Sequence, residues 1–427
     1  MGESQQSTLV FALRSSWALL LGFGILMLGD GLQASLLAIR ADLEGFSTTM
    51  TGFIMSSFYA GFLVGSISTP KVLAKVGHIR VFAALAALAS AAILVHAIFI
   101  DLWVWTGLRL VSGFCFAGLY VVAESWLNDR ATNESRGKVL SLYMVVTYIG
   151  VGIGQLFLNL ASPESFELFV LVSILVSVAV LPLLLAAGSP PQFNDAVSIR
   201  VRDIFQSSPL GIIGTFLVGM VTATFFALAP VYAQRQGLEI RDISYFMTAA
   251  VIGAVLFQWP IGALSDRFDR RKVLTAVTLL ASIAAVSNIP LGQLSGYWPY
   301  VAIGVFCGLS LPLYSICIAY TNDHLQPEQM IAASGSLVMV GGIGAVSGPL
   351  VVAVMMDILG DDSFLWSLGL AHLLLALFSF YRMTRREFIT PEHQATVTPT
   401  AIHASSAAFE SVQQSAQEDV LSEDNAA

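Results

Sequence analysis

A chain of 427 residues would ordinarily hold two or three soluble domains. Composition excludes that: 56% of the residues are apolar and 11% charged, where globular chains have about 45–50% and about 25%. The formal net charge of -8 would suit a cationic partner, and its distribution along the chain decides whether it has that meaning.

The apolar residues come in runs of about twenty, the length that spans a ~30 Å hydrocarbon core. Twelve such segments are expected: Trp17–Ile39, Thr51–Leu73, Val81–Ile100, Trp103–Trp126, Val139–Leu160, Phe166–Ala187, Leu210–Tyr232, Ile243–Leu264, Val273–Leu291, Tyr297–Tyr320, Ile331–Leu359 and Phe364–Arg382. The runs are continuously apolar, not alternating, which excludes a membrane β-barrel. The apolar stretch after Arg14 outruns a signal peptide's core and ends in no small-residue cleavage site, so the first segment reads as an uncleaved helix. Cys115, Cys307 and Cys317 all fall inside apolar runs, which excludes a disulfide scaffold and a spaced metal cluster.

The longest polar stretch between segments, Gly188–Pro209, separates the sixth from the seventh. The expected organisation is an N-terminal stretch 1–15, a six-helix bundle 16–187, a linker 188–209, a second bundle 210–383 and a tail 384–427. Within the linker, Ser198–Gln206 is either a short interfacial helix or a structureless connector. Lys and Arg bias sets orientation. With both termini cytoplasmic, sixteen of the twenty Lys and Arg fall in cytoplasmic loops and three, Arg40, Arg235 and Arg241, outside. Arg109 alone lies within a helix.

The two halves repeat. At an offset of 194, Asn128-Asp129-Arg130 with Glu134 matches Asn322-Asp323-His324 with Glu328, and the same register places Gly150 on Gly344, Gly154 on Gly348 and Gln155 on Pro349. At an offset of 192, Gly77-His78-Ile79-Arg80-Val81 falls on Asp269-Arg270-Arg271-Lys272-Val273. Parallel six-helix repeats enclosing a site between them are a transporter architecture.

These residues resemble the major facilitator superfamily. Gly262-Ala263-Leu264-Ser265-Asp266-Arg267-Phe268-Asp269-Arg270-Arg271-Lys272 is similar to its signature loop between helices 8 and 9. The equivalent loop between helices 2 and 3, Pro70 to Arg80, keeps Gly77 and basic residues but has Ala74 where the family has Asp. Arg109-Leu110-Val111-Ser112-Gly113 resembles the family's buried-arginine motif in helix 4. Glu124-Ser125, Arg136-Gly137, Gly154-Gln155 and Gln258-Trp259-Pro260-Ile261-Gly262 resemble the bacterial YcaD-like branch, which has no settled substrate. The resemblance covers roughly Trp17 to Arg386. It implies a monomer in the bacterial inner membrane working by alternating access.

Asp30 and Arg109 carry the sharpest signal. A charge at mid-membrane costs about 2.5–3.5 kcal/mol on insertion scales. At 1.5 Å per residue, Asp30 lies about 21 Å along helix 1 from Ser16, and Arg109 about 10 Å from the outer end of helix 4. Their depths match, so they could pair. Either Asp30 alternates between protonated and paired states and couples proton movement to transport, or the two form a permanent ion pair. The 192 offset puts Thr222 opposite Asp30, so the C-half has no equivalent acid.

Glu124, about 22 Å beyond Arg109, is expected at the cytoplasmic edge as a gating partner for Lys75, Arg80 or Arg136. Asp266 with Arg267 and Arg270 would latch the other half. Ala74 cannot act as Asp does, so the loop carrying Gly77 is the weaker latch. Gly150-Val151-Gly152-Ile153-Gly154 and Gly341-Gly342-Ile343-Gly344 with Gly348 permit close backbone approach. Gly344-x-x-x-Gly348-Pro349 resembles the family's antiporter motif, but that motif belongs in helix 5, where Gln155 takes the proline position.

Polar and aromatic residues within helices propose the substrate pocket: Gln33, Tyr120, Gln155, Asn159, Phe225, Phe226, Gln258, Trp259 and Tyr314. Gln33 lies three residues after Asp30, on the same helical face, and Gln258 is a facing partner across the cavity. The aromatics read as packing or as a substrate platform. His96 and His372 are alternative proton carriers or packed, hydrogen-bonded residues. Asp361-Asp362 reads as a lone, solvated acidic pair on an outer loop in preference to a calcium site. Asn133-Glu134-Ser135 has the glycosylation pattern but falls in the cytoplasm, and no Walker-type loop occurs.

The expected protein is thus an all-α polytopic secondary transporter with twelve transmembrane helices, moving a small organic solute with proton coupling. Alternatives are a uniporter, a drug-type efflux protein or a non-transporting sensor on the same fold. An enzyme is not expected, since no nucleophile–base pair or metal-ligand spacing is visible. The expected partners are a small-molecule solute, a proton and the lipid bilayer, with no nucleic acid, cofactor or metal. From Thr384 on, seven Asp and Glu face two Arg in a composition typical of disordered tails. The overall acidity therefore says nothing about a cationic cargo.

Overall fold

The computed structural model describes residues 2–130, 133–185, 200–294, 296–325, 327–385 and 397, without the side chains of 2–16, 130, 133–138, 327, 328, 331, 332 and 334. The described chain contains twelve helices long and apolar enough to cross a membrane. They are α1 (Gly2–Leu43), α2 (Thr48–Val76), α3 (His78–Ile98), α4 (Leu102–Arg130), α5 (Asn133–Leu156, then a 3-10 turn Phe157–Leu160), α6 (Glu167–Val178 and Leu181–Leu185), α7 (Pro209–Arg235), α8 (Ile240–Arg267), α9 (Arg270–Gly292), α10 (Trp298–Ser310 and Leu313–Asn322), α11 (Pro327–Leu359) and α12 (Ser363–Met383). A further short helix, Val201–Ser207, precedes α7 and decides for the helical reading of that connector.

Two segments expected to be continuous are interrupted. The break in α6 precedes Pro182 and that in α10 falls at Leu311-Pro312, because proline lacks an N–H and its ring crowds the preceding turn. The turn from α2 to α3 runs through Gly77, whose φ of 89° lies in the region that favours glycine. Ser47 opens α2 by accepting from the Met50 amide at 3.2 Å, and Asp269 opens α9 by accepting from that of Arg271 at 3.0 Å, each satisfying an orphan donor.

Within the first half the packed pairs are α1 with α5, α2 with α4 and α3 with α6. In the second they are α7 with α11, α8 with α10 and α9 with α12, so each pair recurs six helices on. The glycine repeat explains the first of these. A Cβ at Gly150 or Gly154 would press on Met27 and Leu28 of α1; at Gly344 or Gly348 it would press on Phe216 and Met220 of α7. Small residues give close approach where lipid offers no hydrophobic drive for helices to associate. The halves meet along α2 with α11, α5 with α8 and α1 with α7.

Candidate functional site

A cavity of about 70 Å³ lies between the halves. Asp30, Gly31 and Ala34 of α1, Met55, Phe58 and Tyr59 of α2, Arg109 and Tyr120 of α4, and Thr147, Tyr148, Val151 and Gln155 of α5 form one wall. Thr222 and Phe226 of α7, with Leu311 and Tyr314 at the break in α10, form the other. Thr222 thus faces the cavity that holds its repeat-mate Asp30, and both charged groups come from the first half.

Asp30 and Arg109 share this cavity but do not pair: among the described residues no nitrogen–oxygen approach within 4.0 Å joins them. Instead the Arg109 guanidinium lies 4.3 Å over the Phe58 ring, a cation–π contact of about 0.5–2 kcal/mol. Arg109 is 4% exposed, and its Nε has no hydrogen-bond partner. Gln155 is fully buried; the Ser35 hydroxyl donates to its Oε1 at 2.5 Å, and its Nε2 has no partner.

Several expected pocket residues lie off this cavity. A helix turns about 100° per residue, so the stripe through Asp30 continues at Ala34, and Gln33 is turned into protein, 2% exposed. Phe225 packs on Phe306 at 6.2 Å between ring centroids, while its neighbour Phe226 reaches the cavity. Asn159 donates to the Ser244 hydroxyl at 2.8 Å, joining α5 to α8. Gln258 and Trp259 line a second cleft of about 420 Å³ between α5 and α8. There Gln258 donates to the Ser315 hydroxyl at 3.2 Å, and Trp259, 79% exposed, faces outward. Tyr148 borders both spaces.

At the end of the cleft, Asp266 accepts from the Val397 amide at 3.0 Å and from Arg270 at 3.1 Å. Arg270 also donates to both carboxylate oxygens of Asp323, at 2.9 and 2.8 Å. This pair is 1% and 2% exposed. The expected Asp266 latch therefore closes within the second half, α8 onto α9 and the α10 end, with no described contact to the first half. Asp323 was visible only as the repeat-mate of Asp129. Burial acts to raise the neighbouring Asp269 carboxyl, and hydrogen bonds from Arg271 outweigh it, holding it below the usual carboxylate range.

Lys75, Arg80 and Arg267 are exposed and make no ion pair among the described residues. Glu124 is fully buried, and its Oε1 accepts from Tyr143 at 2.8 Å. The Arg136 side chain lies outside the described residues. His96 and His372 are buried and bonded to the Ala92 carbonyl and the Ser310 hydroxyl, each at 2.8 Å.

The opposite end of the bundle carries a clasp that the sequence did not reveal. Arg235 of α7 binds Asp42 of α1 at 2.9 Å, the Thr48 hydroxyl at 2.6 Å and Asp361 at 3.4 Å. Asp361 is thus paired, not merely solvated. Nearby, Asp357 of α11 accepts from the Thr49 amide at 2.8 Å and hydroxyl at 2.6 Å. Only long-range contacts, 126 to 308 residues apart, build this clasp.

Two repeated six-helix halves around a shared cavity that holds an acid and a base define a membrane transporter. The Major Facilitator Superfamily model matches residues 19–247 and 211–413, and the chain belongs to that family. It is 29% identical over 349 residues to the uncharacterized MFS-type transporter YcaD of Escherichia coli, across 81% of this chain and 89% of that one. It is 28% identical over 352 residues to the uncharacterized MFS-type transporter YE1530 of Yersinia enterocolitica, with the same coverage. Among solved structures, the nucleoside transporter NupG matches at a TM-score of 0.75 with 14% identity, over 87% of this chain and 99% of that one. An inward-facing bacterial homolog to the human lysosomal transporter Spinster matches at 0.65 with 15% identity, over 99% of both chains. These likenesses are of fold. The chain is a multi-pass membrane transporter and not an enzyme.

Proposed function

We propose that the protein is a secondary transporter of the bacterial inner membrane, moving a small organic solute by alternating access with proton coupling through Asp30 and Arg109. The observation that carries this reading is the placement of an acid and a base, unpaired with each other, in one cavity between two repeated halves. Protonating Asp30 removes one charge from a low-dielectric cavity and leaves the Arg109 charge uncompensated there; losing that proton restores the opposing charge. Such a change biases the rocking of the halves. The Lys and Arg distribution supports both termini being cytoplasmic, which makes the Arg235 end the outer one and the α5–α8 cleft the inner one. The arrangement then corresponds to an inward-facing state with its outer gate clasped.

The test is purified protein in liposomes holding a pH dye, challenged with a solute library. One solute should drive a pH change inside, and Asp30→Asn should abolish that change. Undiminished proton movement in the variant would overturn the coupling.

A further inference from the structure

Resting on the reading of this cavity as the transport site, we infer that its cargo is a small zwitterion carrying an aromatic or branched apolar group. The ammonium sits on Asp30 and the carboxylate on Arg109 and Gln155. Arg109 is 4% exposed and Gln155 fully buried, yet Arg109 Nε and Gln155 Nε2 have no hydrogen-bond partner. Ser35 already holds the Gln155 Oε1, so what this amide has left to offer is a donor. Two donors in one wall call for an acceptor-rich anion, and a bidentate carboxylate suits a guanidinium whose face is already taken by Phe58.

Asp30 lines the same space with no ion pair to Arg109. A buried charge is costly unless paired. A cargo with only a cation would pair Asp30 and leave Arg109 uncompensated; one with only an anion would do the reverse. A zwitterion pairs both and leaves the cavity neutral. Among the described residues the other half supplies no charge to compete for either end: its contributions are Thr222, Phe226, Leu311 and Tyr314. Phe226 and Tyr148 of the cavity wall receive the apolar group, and Tyr148 also borders the cleft between α5 and α8.

The experiment measures binding to the purified full-length protein by thermal shift at neutral pH, using matched triples of amino acid, amine and acid. Two suitable triples are phenylalanine, phenethylamine and phenylpropionate, and leucine, isopentylamine and isocaproate. In at least one triple the amino acid should bind tenfold or more tightly than both single-charge partners. Asp30→Asn should erase its advantage over the acid, and Arg109→Gln its advantage over the amine, with Arg109→Lys retaining part of the latter. If the amine or the acid equals the amino acid in every triple, or no member of any triple binds, the zwitterion assignment is overturned. The comparison on the unaltered protein needs no variant to fold. Binding is read without proton movement, so this assignment and the coupling proposal fail separately.

Discussion

Arg235 reaches Asp42, 193 residues away, with two donors on one oxygen: Nε at 3.0 Å and Nη2 at 2.9 Å. The bond ties the last turn of α7 to the last turn of α1, across the boundary between the halves. Among the described residues, the hydrogen bonds between the halves lie at this end or between it and the cavity, with Tyr59 to the Ala223 carbonyl the most central. Both partners are partly exposed, 29% and 18%, and such pairs contribute about 0.2–1 kcal/mol. Asp42→Asn should therefore shift the balance toward opening at this end by up to about fivefold. Spin–spin distances between labels on the α1 and α7 ends would report it. An unchanged distance distribution in both Asp42→Asn and Arg235→Gln would show that the clasp does not hold this state.

Arg270 and Asp323 form a different kind of pair, nearly without solvent on either side. Removing one partner of a buried pair leaves a charge uncompensated, at a cost of about 3–5 kcal/mol. Asp323→Asn should therefore lower stability in detergent far more than Asp266→Asn, because the Asp266 side chain is 29% exposed and its contact is longer, at 3.1 Å. Thermal or denaturant unfolding of the two variants decides the order. Equal losses would mean that Asp266 carries as much of the Arg270 charge as Asp323 does.

The twelve helices were legible because hydrophobic run length is a local property, and the repeat was legible because loop residues recur at a fixed offset. Asp30 and Arg109 stood out for the same reason, as charges inside apolar runs. Side-chain direction was harder. Gln33 and Ala34 differ by one step of a helix, and so do Phe225 and Phe226, yet only the second of each pair reaches the cavity. Polarity pointed to Gln33, and packing decided for Ala34. Tyr59, Phe58 and Tyr148 gave no signal, since aromatic residues are common throughout these helices. The clasp of Arg235, Asp42 and Asp361 depends on which loops meet in space, and nothing near any of the three announces it.

The buried histidines offer a check on the coupling site. His96 edges onto Trp105 with ring centroids 5.5 Å apart, His372 bonds Ser310, and neither lines the central cavity. His96→Asn and His372→Asn should leave the pH-dye signal within about twofold of the unaltered protein. Stability should fall by about 1 kcal/mol for each lost hydrogen bond. Loss of the signal in a variant that still folds and binds solute would move the proton path from Asp30 to that histidine.

Three glycines test the close packing that shapes the cavity wall. A Cβ at Gly154 would overlap the Leu28 carbonyl of α1, and one at Gly348 the Met220 carbonyl of α7. Backbone at a helix crossing cannot give way as a side-chain tip can, and overpacking costs about 1–3 kcal/mol. At Gly152, half a turn from Gly154, the nearest atom would be a Val251 methyl at 3.4 Å, an ordinary contact. Gly154→Ala and Gly348→Ala should lower the melting temperature in detergent, while Gly152→Ala leaves it unchanged. Because Gln155 follows Gly154 directly, the first variant should also weaken solute binding, whereas Gly348→Ala, on a helix with no described residue in the cavity wall, should spare it. Equal binding losses in both would tie the effect to global destabilisation rather than to the position of α5 against α1.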